Sequence, residues 1–292
     1  MKMSPDGTSR TDLRLCNPHA FTGFLIFVVL TTYGCTALRK PPVFSAPVPS
    51  SADILGLPTV EELLTPLASR RQSILSLRGL ARVTYKDQEE KGSARQAVAV
   101  VAPDHFRLEL FSPIGIAALV ATDGQMLAAY IPREKTVYRG IANPFNAARF
   151  VRVMLSADQI ASLLLGLPLF PLHGQRGEVR FDNETRKYIV TLPIGADNQQ
   201  IFAFDKQTRL LDIWEVQDRT GKALVRMILA DYKTLQDIKF PFEISLEDIQ
   251  GGQKAAIYYE QVELNPVLPD TLFTLAAIPG VQETNLDAPV SR

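Results

Sequence analysis

From Leu77 onward, apolar and polar residues alternate. The run "LRGLARVTY" sets Gly79, Ala81, Val83 and Tyr85 on one side and Arg78, Leu80, Arg82 and Thr84 on the other, the period of a half-buried β-strand. Similar runs follow at about 93–102, 105–111, 116–122, 126–131 and 135–139. A second series lies near 177–182, 186–192, 199–205, 209–217, 222–232, 240–248 and 254–264. Turn-forming pieces such as Pro103-Asp104 and Asp123-Gly124 separate them. Connections this short force antiparallel neighbours. The pattern therefore predicts a mainly β chain, a twisted meander of about 11–13 strands that curls into an open, incomplete antiparallel β-barrel.

Three stretches have helical spacing instead. Thr59-Val60-Glu61-Glu62 reads as a capping box, opening a short helix, kinked at Pro66, that ends near Ser73. In "PFNAARFVRVML" the apolar residues Ala147, Phe150, Val151 and Met154 recur at helical spacing, with Arg149 and Arg152 opposite. "SADQIASLLLG" opens on a second capping box, Ser156 to Gln159, and closes on Gly166 as a C-cap. These last two helices either plug the sheet as ordinary core or lid a cavity. The second account expects Phe150, Met154, Ile160 and Leu164 to face the inner side of the sheet and cover an apolar space.

Between two strands, "FSPIGIAAL" (Phe111 to Leu119) places Ser, Pro and Gly at the first, second and fourth positions of a type I turn. Ile114 stands third, at a tip that projects its side chain towards solvent. A single exposed apolar residue is common, so on the turn alone Ile114 needs no special role. After Leu264 the tail holds four prolines by Pro289; Leu272, Phe273 and Leu275 can pack back, and the last dozen residues are expected to be disordered.

Charge names no partner. Lys plus Arg and Asp plus Glu are 31 each, so there is no basic field to gather nucleic acid. The chain has no G-x-S-x-G, P-loop or H-E-x-x-H pattern. His105 and His173 stand alone beside turns, Glu89-Glu90 sits in a hairpin loop, and Glu247-Asp248 ends a strand. Nothing here assembles a catalytic or metal site, and the reading is a binding protein with no cofactor rather than an enzyme.

The N-terminus has the layout of a secretory signal: Arg10 and Arg14, the apolar run Ala20 to Leu30, then small or neutral residues up to Gly34-Cys35. Thr32-Tyr33-Gly34-Cys35 resembles a bacterial lipobox, in which the chain is cut before a cysteine that then carries acyl chains. The alternative is an uncleaved anchor, since no charge interrupts Leu15 to Leu38 and about 20 apolar residues span a bilayer. Cleavage would remove Lys2, Arg10, Arg14, Asp6 and Asp12, leaving a net charge of −1 and Cys35 as the sole cysteine. The residue after it, Thr36, is not the Asp that resembles an inner-membrane retention signal, which points to the outer membrane. The organisation expected is a signal peptide over 1–34, a Pro/Ser-rich tether over 35–57, a folded domain over 58–265 and a tail over 266–292.

Over roughly residues 58–264 the order of elements and several motifs resemble the LolB family of outer-membrane lipoprotein receptors and, more widely, the LolA/LolB-like fold. "LRGLARVTY" resembles the family's first strand with its Arg-Gly pair, and "FRLELFSPIG" its third strand and following turn. "LLLGLP", Leu163 to Pro168, is similar to the end of its lid helix, and "FPFEISLED" to a late strand. The resemblance implies an unclosed barrel whose helices cover an apolar cavity for acyl chains. It implies three partners: an acylated lipoprotein cargo, a LolA-like periplasmic carrier and outer-membrane lipid, with the protein itself a monomer. It also implies that the turn Pro113-Ile114-Gly115, with Ile114 exposed, serves delivery to the membrane. The turn has Ile where the family has Leu, and the tail has no counterpart in short members. A different role on the same fold stays open: binding or sensing another amphiphile, or serving as a structural accessory in envelope assembly.

Overall fold

The computed structural model describes residues 56–172 and 177–288. The expected signal peptide, Cys35 and all but the end of the expected tether lie outside the described residues, as does His173. Among the described residues, fourteen strands form a single sheet. The first series comprises β1 (Ser76–Lys86), β2 (Lys91–Val101), β3 (His105–Ser112), β4 (Gly115–Asp123), β5 (Met126–Ile131) and β6 (Thr136–Ile141). The second comprises β7 (Glu178–Asp182), β8 (Lys187–Ile194), β9 (Asn198–Asp205), β10 (Leu211–Asp218), β11 (Ala223–Leu235), β12 (Ile238–Asp248) and β13 (Gln253–Leu264). Each series is an antiparallel meander, and the two join where β1 pairs with β13. The outermost strands, β7 on one side and β14 (Gln282–Asn285) on the other, do not pair with each other, so the sheet is not closed into a barrel.

β14 (Gln282–Asn285) is the strand the sequence pattern did not predict. It pairs in parallel with β6, Gln282 opposite Thr136 and Asn285 opposite Arg139, so the tail is ordered well into the stretch expected to be disordered. Phe273 explains why. It is buried, edge-on to the His105 ring at 5.5 Å between centroids, while Arg107 Nη1 donates to the Leu272 carbonyl at 3.1 Å. The tail thus covers the outer face of β3–β5 and carries the chain to the β6 edge. There it satisfies backbone groups that an open edge would leave unpaired.

Helix α1 (Val60–Ser73) is capped as the sequence predicts: Glu62 N donates to Thr59 Oγ1 and Thr59 N to Glu62 Oε2. It runs through Pro66 as one helix rather than breaking there. Proline removes only one internal hydrogen bond, and burial of Leu63 and Leu67 on the same face holds both halves down. Helices α2 (Pro144–Val151) and α3 (Ala157–Leu164) lie in the link between β6 and β7. Because β7 forms the far edge of the sheet and β6 lies beside the other, this link has to traverse the inner face. That topology puts α3 over the core.

Candidate functional site: a filled inner face and an exposed hairpin tip

Residues of α3 and its exit pack into one apolar cluster with the inner-facing side chains of the sheet. Ile160, Leu163, Leu164 and Leu167 are buried there together with Phe106, Trp214 and Phe240. Ser156 N donates to Gln159 Oε1 at the start of α3. At its end Gly166 has φ +64, and a Cβ there would come within 2.6 Å of Pro241. Glycine is therefore required both by the left-handed backbone and by the close approach to β12.

Three side chains hold the end of α3. Tyr259, fully buried on β13, donates its hydroxyl to the Leu164 carbonyl at 2.8 Å, and burial pushes its pKa up. From the last turn of α1, Arg70 donates to the Gly166 carbonyl and Arg71 to the Pro168 carbonyl. Arg71 also reaches Ser162 Oγ at 3.4 Å. Burial, and then the neighbouring charge of Arg70, lower the Arg71 pKa, opposed by Asp158. Cations at a helix C-terminus meet its partial negative charge. The sequence alone reads Arg70-Arg71 only as basic residues at the end of α1; their carbonyl partners lie more than ninety positions away.

Of the four side chains expected to cover a cavity, Ile160 and Leu164 are fully buried and Phe150 is half-buried, its ring 5.6 Å from that of Tyr138. Met154 does not join them; it is 55% exposed. Helix α2 ends at Val151 because Arg152 adopts φ +61, and the chain turns away before Met154. Arg152 is held there by Glu90 at 3.4 Å and by the face of Tyr85. Ile160 and Leu164 pack within the core cluster and Phe150 packs against it; among the described residues one cavity, of about 270 Å³, lies between α1 and the second half of the sheet. In this conformation α3 packs as part of the core.

The β3–β4 hairpin is built as its sequence predicts. Ser112 pairs with Gly115, and Ser112 Oγ donates to the Gly115 carbonyl at 3.0 Å. Ile114 is not among the residues with positive φ, whereas Gly115 has φ +125. A Cβ at Gly115 would meet nothing within 4 Å, so the backbone conformation, not space, calls for glycine. Ile114 is 99% exposed at the tip. Phe111 and Ile116 stand opposite each other just behind it, 37% and 41% exposed. The tip is thus a small apolar wedge of three side chains with Pro113, stiffened by proline at one turn position and by strand pairing behind it. Sequence reasoning singled out Ile114 but not Phe111 and Ile116, whose pairing depends on a register shift between Leu110 and Phe111.

A family model described as "uncharacterized protein" matches residues 196–279. A comparison with curated proteins finds no match. Among solved structures, the chain is similar to a DUF1329 family protein from Desulfovibrio piger, with 14% identity, TM-score 0.53, and 74% of this chain and 97% of that one covered. It is also similar to a domain ascribed to outer membrane lipoprotein sorting from Vibrio parahaemolyticus, with 14% identity, TM-score 0.50, and 72% and 95% covered. The chain shares the fold of these two structures. Among the described residues there is no cluster of metal-ligating side chains, and no helix is long and apolar enough to cross a membrane.

Proposed function

We propose that this protein is an envelope lipoprotein, anchored to the outer membrane through Cys35, that accepts acylated lipoproteins from a LolA-like periplasmic carrier and inserts them into the outer membrane. The observation that carries this reading is the wedge at Pro113-Ile114-Gly115. An isoleucine held in water at the tip of a rigid hairpin, with Phe111 and Ile116 behind it, is suited to dip into a bilayer surface. The filled inner face corresponds to the unloaded state. An incoming acyl chain displaces α3 and gains roughly 0.8 kcal/mol per CH₂ buried, while the apolar residues of α3 lose a comparable burial, so loading and release are near balance. Passing cargo on then requires no chemical step.

Depletion of the protein from its host tests the role. Lipoproteins destined for the outer membrane should accumulate in the inner membrane or on the carrier; normal sorting would remove the receptor reading. A second reading, binding of another amphiphile on the same fold, is favoured by one observation: a cavity of about 270 Å³ lies beside α1.

A further inference from the structure

Past β14 the tail turns back and reaches α2. Leu286 N donates to the Arg139 carbonyl at 2.7 Å, and the Leu286 side chain is buried in the core cluster. Beside it, Asp287 Oδ2 accepts from Ile141 N at 2.9 Å and Asp287 Oδ1 accepts from Asn146 Nδ2 at 2.8 Å. Asn146 lies in the first turn of α2 and is itself buried, and its side-chain amide also donates to the Ile141 carbonyl at 3.0 Å. One carboxylate thus ties together the tail, the end of β6 and the start of α2. Gly140 makes room for the junction. A Cβ there would come within 2.7 Å of Leu286 Cβ, 2.9 Å of Asn146 Nδ2 and 3.0 Å of Asp287 Oδ1, so space rather than backbone conformation calls for glycine.

Both partners of this junction are otherwise lightly held. Of the eight residues of α2 only Asn146 and Ala147 are buried. β14 is four residues long and pairs on one side only, with Gln282, Glu283 and Asn285 exposed; a parallel pairing is also slightly weaker per residue than an antiparallel one. Its ion pair, Arg139 Nε to Glu283 Oε1 at 3.2 Å, is partly exposed and such pairs contribute little. A cavity of about 380 Å³ borders β14 and β6, lined by Met126, Arg139, Glu283 and Thr284, so few side chains pack across that seam. The two ends of the link between β6 and β7 therefore differ: the exit of α3 is fixed by Tyr259, Arg70 and Arg71, the start of α2 by the exposed Asp287. We propose that the tail is a detachable latch on α2. Docked, it holds the helix against the end of β6; when residues 282–287 leave that edge, α2 loosens while α1, α3 and the middle of the sheet stay in place. The latch involves neither the Ile114 wedge nor a bound ligand, so it stands or falls independently of the receptor role.

The test is hydrogen exchange of the full chain read by mass spectrometry, comparing the wild type with two substitutions. Asp287→Ala removes the acceptor of both bonds at an exposed position. Gly140→Ala leaves the carboxylate in place but puts a Cβ where Leu286 and Asn146 now approach. Each should speed exchange over β14 and over residues 144–151 by about tenfold or more, as a local opening does, with α1, α3 and β10–β12 unchanged. Wild-type protection over 144–151 in either variant would overturn the proposal, since α2 would then be held without the tail. An equal rise over α1, α3 and β10–β12 would overturn it too, because the tail would be part of the cooperative core and not a latch.

Discussion

Ile114 and Tyr259 are both placed by strand pairing, one 99% exposed at a hairpin tip and the other buried. For Tyr259 the consequence is thermodynamic. Its hydroxyl is the donor to the Leu164 carbonyl at the end of α3, so Tyr259→Phe leaves that buried carbonyl without this donor. Such a loss costs about 1–3 kcal/mol, which urea denaturation would register as a lower midpoint at unchanged slope; an unchanged midpoint would mean that the bond contributes nothing net. Residue type and alternation announced Ile114, because a turn type follows from three neighbouring residues. They could not announce the Glu215–Arg226 pair. Alternation puts Glu215 on the outer side of β10, but only the β10–β11 register sets Arg226 opposite it, where the two are buried together as an ion pair.

At the scale of elements, thirteen strands and three helices were legible because their periods are long and their turns carry Pro, Gly and Asp. What was not legible depends on contacts distant in sequence. α2 ends where Arg152 adopts the left-handed conformation, its guanidinium beside Glu90 and Tyr85, whereas the helical spacing of Phe150, Val151 and Met154 reads straight through. β14 has the short polar sequence Gln-Glu-Thr-Asn, with no alternation to reveal it; it forms because Phe273 docks the tail upstream. Phe273→Ala should therefore cost about 3–5 kcal/mol, the usual range for a buried phenylalanine. Hydrogen exchange should show β14 and the β6 edge losing protection together. Loss of stability without that local exchange would mean that Phe273 is core but does not anchor the strand.

At the scale of the whole molecule, three surface carboxylates tie the turns to pH. The backbone N–H of Glu90, then of Glu89, lowers the Asp87 pKa; the backbone N–H of Thr208 lowers that of Asp205; the hydroxyl of Thr220 lowers that of Asp218. With folded values below the unfolded ones, their stabilisation is in place above the unfolded carboxylate value of about 3.9 and is lost as pH falls through the folded values. The thermal midpoint should hold from neutral pH to about pH 5 and decline below about pH 4, and Asp205→Asn should shallow that decline. A midpoint that falls between pH 7 and 5 would point to other groups.

The central claim is that a lipoprotein passes through this fold and leaves it by way of the Ile114 wedge. It is tested most directly by transfer of an acylated cargo from a loaded carrier to liposomes, comparing the full-length protein with its Ile114→Glu form. Because Ile114 is 99% exposed, the change should move folding stability by no more than about 0.5 kcal/mol and leave cargo loading intact. A carboxylate driven into the bilayer costs a few kcal/mol, so the account predicts that transfer to membranes is lost while loading persists. Equal transfer rates at equal loading would contradict it.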